Sequence, residues 1–333
     1  MRGKGPRRRW IALGMAVAVM AGLYLLNASW LAPAPHGRAV VIAQRGLAQV
    51  YDRKAVDDAS CTARLIPPPT HGFIANTLPS TAAAFAAGAD IVELDLSTTA
   101  DGQFVAFHDI NLDCRTDGHG PLAAQTLAAL QRLDVGYGYT ADGGRTWPLR
   151  GKGVGLMPSL ADVLDAFPGR RFLIQVKQGP NDMGPRLVRY LDTHGADWNR
   201  LSFFGNGGHL AAIARLHPDA HVWSEKALTK CSLDYLARGW TGYVPKSCQG
   251  RMIAVPLAQT GLFWGWPNRF FQRMAAGKVD ILVIGGVDGL KTTGFWRVDS
   301  ARDLARLPAG APVQVWTDHV EVVGPILRRR QGG

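Results

Sequence analysis

Ile91-Val-Glu-Leu-Asp-Leu-Ser-Thr-Thr-Ala-Asp-Gly-Gln-Phe-Val-Ala-Phe-His-Asp109 is the stretch whose reading decides the fold. Two apolar runs flank Asp101-Gly102, which predicts a strand, a tight turn and a returning strand. A type I′ turn needs positive φ at both central residues, and Asp-Gly supplies it. A two-residue turn there places Asp95 opposite His108, with Glu93 on the same face as Asp95. The rival reading is an ordinary amphipathic strand with a polar outer face. The flanks weigh against it: Ile91, Val92, Leu94 and Leu96 leave no solvated side, as in strands covered on both faces. Carboxylates in such surroundings are costly unless paired or bound to a cation, so Glu93 and Asp95 are expected to hold a metal ion near His108.

Outward from this hairpin, short strand-like runs alternate with helical patterns. The strands are expected at Val40–Ala43, Ile91–Leu96, Phe172–Lys177, Leu201–Phe204, His221–Ser224, within Gly242–Val255, at Ile281–Ile284 and at Val313–Thr317. Helical patterns such as Ser80–Ala87, Ser159–Phe167, His209–Leu216 and Asn268–Ala276 lie between them, with Ser159 and Ser300 as N-caps. Strict alternation means a parallel sheet, and eight units of this length fit a (β/α)8 barrel, with a β-hairpin excursion after the second strand. Barrel chemistry sits at the C-terminal strand ends. Gln44-Arg45, Glu93 to Asp95, Gln175 to Lys177 and Trp316-Thr317-Asp318 stand there.

The chain has 333 residues, is 47% hydrophobic and carries a formal charge of +11. Much of that charge sits at the two ends, in Arg2, Lys4, Arg7, Arg8 and Arg9 and in Arg328, Arg329 and Arg330. The body is only mildly basic, so nucleic acid is not an expected partner. Trp10 to Trp30 is almost wholly apolar with a tryptophan near each end, matching a membrane helix. A cleavable signal peptide is the alternative, but Pro35 directly follows the small-residue site Ala32-Pro33-Ala34, which favours an uncleaved anchor. The expected layout is a basic cytoplasmic start (1–10), a transmembrane signal anchor (11–31), a linker (32–38), one barrel domain (39–327) and a basic tail (328–333). By the positive-inside rule the domain is exported, periplasmic or extracellular. Four cysteines in an exported domain suggest disulfides, with Cys61–Cys114 and Cys231–Cys248 preferred among three connectivities. Thiolate metal binding is the rival, and no Cys-x-x-Cys spacing supports it. The glycine-rich stretches Gly136–Gly144 and Arg150–Gly155 lack nucleotide-loop spacing and read as a flexible excursion that could cover the site. The aromatic run Leu262–Phe271 reads either as packing or as a lip at a membrane surface.

Taken in order, the motifs resemble the glycerophosphodiester phosphodiesterase family. Val41–Gly46 resembles its opening His-Arg-Gly motif, Asn76-Thr77 its Glu-Asn-Thr helix start, and Glu93-Leu-Asp95 with Thr99–Gly102 and His108-Asp109 its central signature. Met157–Leu160, Gln175-Val-Lys177 and Trp316-Thr317 resemble later segments. The resemblance implies a barrel that hydrolyses glycerophosphodiesters, or related lipid head groups, with Ca2+ or Mg2+. It implies Glu93, Asp95 and the Gln175 position as metal ligands, His108 and the Gln44 position as the acid/base pair, and Arg45, Lys177 and Trp316 as substrate-binding residues. Three positions depart: Gln44 replaces the first histidine, Gln175 the third metal-binding glutamate, and Ala75 the Glu before Asn-Thr. Glutamine offers a carbonyl to a metal but shuttles no proton. His71 and His119, in nearby loops, are candidate substitutes. The alternative implied is a binding protein that grips a phosphodiester without efficient turnover.

Overall fold

A computed structural model describes residues 6–51, 56, 60–177, 179–285 and 297–331. In chain order its helices and strands are α1 (Pro6–Asn27), β1 (Val40–Ala43), α2 (Leu78–Ala87), β2 (Ile91–Thr98), β3 (Phe104–Ala106), α3 (Leu127–Leu130), α4 (Leu160–Ala166), β4 (Arg171–Val176), α5 (Met183–Thr193), β5 (Leu201–Gly205), α6 (Gly207–Leu216), β6 (His221–Trp223), α7 (Glu225–Arg238), β7 (Met252–Pro256), α8 (Asn268–Ala276), β8 (Asp280–Ile284), α9 (Ala301–Leu304), β9 (Gln314–Thr317) and α10 (Val320–Gln331). Each of the eight expected strands is present. The chain divides into two compact units.

The larger unit comprises Val40–Glu225, Arg297–Leu304 and Val315–Gly333. Its sheet runs β6-β5-β4-β2-β1-β9, with parallel pairing of β1 on β2, β2 on β4, β4 on β5 and β5 on β6. Val92, Leu94, Leu96, Ile174, Val176 and Phe203 are fully buried, so these strands are covered on both faces, as their unbroken apolar runs require. Ser159 caps α4 in a capping box with Asp162, and Thr77 caps α2 in another with Ser80; each satisfies helix-end donors that have no intrahelical partner.

The return strand differs from the two-residue turn expected. Leu96 pairs with Ala106, Ser97 with Val105 and Thr98 with Phe104. The loop therefore has three residues, Ala100-Asp101-Gly102, closed by a bond from Gly102 N to Thr99 O at 3.1 Å. Only Gly102 has positive φ, +81°, and Thr99 Oγ1 bonds Asp101 Oδ1 and Gln103 N. Asp101 is fixed by Thr99 rather than turned into the left-handed region, which lengthens the loop by one. A one-residue change of register exchanges faces, so Asp95 stands opposite Phe107, whose N–H it accepts at 2.9 Å. His108 lies just beyond the paired residues.

The segment after β3 is not a flexible cover. Leu112, Leu122, Leu130, Val135, Tyr139, Leu149 and Met157 form a buried cluster with Val105 and Phe107. Three of its glycines, Gly136, Gly138 and Gly153, serve close approach: a Cβ on Gly138 would lie 1.8 Å from Cys114 O. Buried Asp134 gathers the N–H groups of Gly136, Gly151 and Gly153. The Cys61–Cys114 disulfide closes the cluster.

The smaller unit comprises Met1–Ala39, Lys226–Trp296 and Ala305–Gln314. It holds the parallel pair β7–β8, helix α8 and the Cys231–Cys248 disulfide. Both preferred disulfide pairings are thus formed. Within α1, Trp10–Asn27 is long and apolar enough to cross a membrane by length and composition.

Candidate active site

All the residues that follow belong to the larger unit. At the end of β1 the backbone turns sharply: Arg45 (φ +58°), Gly46 (φ +83°) and, from the loop before α2, Asn76 (φ +60°) have left-handed conformations. Such conformations are uncommon outside glycine and persist where surrounding contacts fix them. Here Asn76 N donates to Arg45 O at 2.9 Å, and a Cβ at position 46 would lie 2.5 Å from Ser80 Oγ. The turn aims Arg45 back across the sheet towards β2.

Asp95 receives it. Arg45 Nε lies 2.8 Å from Asp95 Oδ2, Lys177 Nζ 3.1 Å from Oδ1, and Asn76 Nδ2 donates to Oδ2 at 2.9 Å. Asp95 is fully buried. Burial alone would raise its pKa, but the charges of Arg45 and Lys177 outweigh it and hold the carboxyl far below the usual range. Glu93, two residues earlier and equally buried, is treated oppositely: burial and the neighbouring Asp95 charge push it up. Glu93 Oε2 accepts Arg45 N at 3.1 Å, whereas Oε1 has no hydrogen-bond partner.

His108 completes the group. Its Nδ1 is 2.5 Å from Asp109 Oδ1, and Asp109 Oδ2 accepts Arg115 Nε at 2.9 Å. Burial and the charge of Arg45 lower the His108 pKa to about 4. At neutral pH the imidazole is therefore uncharged, with Nδ1–H donating to Asp109 and Nε2 left as the basic nitrogen. Lys177 Nζ also donates to the His108 carbonyl at 2.7 Å, which fixes the chain just past β3. Although the register differs from expectation, Glu93, Asp95, His108, Arg45 and Lys177 share one locality.

Gln44 stands apart from proton chemistry. Its Oε1 accepts Arg297 Nη2 at 2.6 Å. The Arg297 guanidinium lies 3.6 Å above the Trp316 ring, and Trp316 packs edge-on against Phe204 and Trp223. Trp316 is buried, with no hydrogen-bond partner for Nε1. Gln175 pairs in register with Asp95. Gln44, Arg45, Gln49, Tyr51, Arg115 and Asp318 line a small open cleft. Of the candidate substitutes, His71 lies beside the cleft but its Nδ1 is engaged by Gln49 Nε2 and Phe73 N. His119 is an exposed partner of Asp113 and is not brought to the site. Sequence reasoning missed Arg297 and Arg115, and named Asn76 and Asp109 only as motif residues without a role. Arg297 and Arg115 meet the site only through the fold.

The oxygen donors here are of the kind a hard divalent cation takes. Glu93 Oε1 is a buried carboxylate oxygen lacking a partner, and Asp95 and Gln175 add oxygen donors of the kind Ca2+ and Mg2+ take. Both Asp95 oxygens already face cations, so such an ion competes with Arg45 and Lys177. Among the described residues, no group of three His, Cys, Asp or Glu side chains is placed to hold one.

Residues 66–215 match the Glycerophosphoryl diester phosphodiesterase family, and the (β/α)8 fold of the chain is shared by solved structures of proteins of that name. Among similar proteins, a glycerophosphodiester phosphodiesterase of Bacillus subtilis is 38% identical over 112 residues, 32% of this chain and 37% of that protein. The match spans less than half the length of the first curated relatives. The glycerophosphoryl diester phosphodiesterase domain of the uncharacterized protein Rv2277c from Mycobacterium tuberculosis superposes with a TM-score of 0.60 at 18% identity, covering 89% of this chain and 99% of that one. An Oleispira antarctica phosphodiesterase, solved in complex with the product sn-glycerol-3-phosphate, gives 0.55 at 18% identity over 92% of this chain and 100% of that one. These likenesses carry the fold.

Proposed function

We propose that this chain is a phosphoric diester hydrolase of glycerophosphodiester phosphodiesterase type, acting on a glycerophosphodiester or related lipid head group. One observation carries the reading: two buried carboxylates of one strand, one with an unpartnered oxygen, lie beside an uncharged histidine and two cations. Arg45 and Lys177 hold the phosphate oxygens as substrate displaces part of their contact with Asp95. His108 Nε2 takes the proton from the attacking water while Asp109 stabilises the imidazolium formed. A P–O bond forms to the water oxygen, the P–O bond to the alcohol breaks, and the alcohol leaves with a proton from the imidazolium or solvent. Gln44 contributes no proton, so turnover is slow. Glu93, Asp95 and Gln175 would hold Ca2+ or Mg2+, which when bound would supply charge neutralisation for the phosphoryl oxygens. We place the domain outside the cytoplasmic membrane, anchored by α1; its two disulfides favour an oxidising compartment.

A second reading, a phosphodiester-binding protein without efficient turnover, is favoured by the Arg297–Gln44 contact, which puts a fixed cation where a proton carrier would serve the first reading. The two separate on release of glycerol phosphate from glycerophosphocholine with calcium or with chelator. The hydrolase reading expects calcium-dependent release that falls sharply in Glu93→Gln. Equal, negligible release from wild type and Glu93→Gln overturns it.

In either reading Arg297 faces the anion. Arg297→Ala is expected to weaken glycerol 3-phosphate binding about tenfold or more, the worth of about 1.5–3 kcal/mol for a charged hydrogen bond, as measured by calorimetric titration. Unchanged affinity would show that Arg297 serves Gln44 and Trp316 and not the anion.

A further inference from the structure

The geometry points to a second membrane contact, in which the smaller unit itself rests on the lipid surface through an aromatic face built around the end of α1. This inference rests on the membrane-spanning reading of α1. A tethered domain needs only a linker, but here the helix end is locked to the unit. Buried Arg273, on α8, donates through Nη2 to Leu26 O at 2.9 Å and through Nη1 to Asn27 Oδ1 at 3.0 Å. The same Nη1 reaches Gly239 O at 3.0 Å. Asn27 Nδ2 donates to Trp240 O at 2.8 Å, and Asn268 binds Ser29 Oγ and Ala32 O through N and Nδ2. An arginine on the last carbonyls of a helix also opposes its dipole favourably. These bonds hold the segments around residues 239–243 and 262–268 at the level where a spanning α1 leaves the hydrocarbon.

At that level the unit exposes apolar side chains. Trp30 is 66% exposed, Trp240 43%, Tyr243 43%, Leu262 61% and Trp264 41%. Trp264 is set by Nε1 donating to Leu236 O and by its carbonyl accepting from Tyr235 Oη. Indole and phenol rings with one polar edge favour the bilayer interface over either water or hydrocarbon. Exposed apolar patches of this kind mark contact surfaces, and the covering partner is the bilayer that α1 enters beside it. Leu262–Phe271 is thus part packing and part lip: Phe263, Phe270 and Phe271 are buried, whereas Leu262 and Trp264 face outward.

The test uses the full chain in vesicles of phosphatidylcholine and phosphatidylglycerol, with single spin labels on cysteines introduced at Val17, Leu262, Trp264 and Lys226. The four native cysteines are paired, and all four label sites are exposed. Lys226 lies at the far end of α7, about 18 Å from Arg238 at 1.5 Å per residue. Labels at 262 and 264 are expected to collide several-fold less with an aqueous nickel chelate than the label at 226, and to be reached by oxygen. The Val17 label is expected deep in lipid. Aqueous labels at 262 and 264 with Val17 in lipid overturn the docked face while leaving the anchor. An aqueous Val17 label overturns the anchor and the docked face together. Neither outcome bears on phosphodiester hydrolysis.

Discussion

Replacing Asp95 by alanine is expected to abolish glycerophosphodiester turnover and to destabilise the fold by about 3–5 kcal/mol, the cost of leaving buried partners of an ion pair uncompensated. That is a large share of the roughly 5–15 kcal/mol that holds a domain together. Arg45 Nε, Lys177 Nζ and Asn76 Nδ2 all converge on this carboxylate, and Asn76 Oδ1 accepts its backbone N–H. The sign with pH follows from the depressed carboxyl. Its stabilisation is fully present above the unfolded value of about 3.9 and is lost as pH falls towards the folded one. The gap between wild type and Asp95→Ala in urea unfolding should narrow in buffer more acidic than about pH 4. A gap independent of pH down to the acid transition would mean that packing, not the ion pairs, sets the loss.

His108→Ala is expected to lower kcat about 10²–10⁴-fold, the ordinary worth of general acid/base help, with little change in stability. The uncharged form is the active one, and burial with Arg45 lowers the His108 pKa to about 4. The acidic limb of kcat/KM should therefore fall near pH 4, well below the usual histidine value of about 6.5. Activity rises as pH rises through that limb, because deprotonation creates the base. A limb near pH 6.5, or a His108→Ala variant as fast as wild type, contradicts the assignment. Gln44→His should raise the rate only if the new imidazole escapes Arg297, so pairing it with Arg297→Ala tests whether that contact holds the site in its slow form.

Much of the fold was legible because buried parallel strands print as unbroken apolar runs. β1 was read at Val40–Ala43 and found there, and β4 was read at Phe172–Lys177 and found at Arg171–Val176. Helix α7 was missed: Leu228, Cys231 and Tyr235 make a buried stripe, but the polar residues between them hid its period. The hairpin register was missed because Asp-Gly serves both two-residue and three-residue loops, and the bond from Thr99 to Asp101 that selects between them is tertiary in effect though local in sequence. The glycine-rich stretches read as freedom, yet Gly136, Gly138 and Gly153 within them are close contacts, since a glycine against Cys114 O looks the same in sequence as one in a linker. Within the site, Glu93, Asp95, His108, Arg45 and Lys177 could be read as motif residues. Arg297 could not: 253 residues separate it from Gln44, and no local pattern announces a guanidinium stacked on Trp316.

The most direct test of the account is a crystal structure of the protein soaked with calcium and glycerol 3-phosphate. The account predicts a cation touching Glu93 Oε1 and Asp95, with Gln175 turned towards it, and the phosphate on Arg45 and Lys177 within reach of His108 Nε2. Phosphate bound away from Arg45 and Lys177, or a cation that leaves Glu93 untouched, would contradict it.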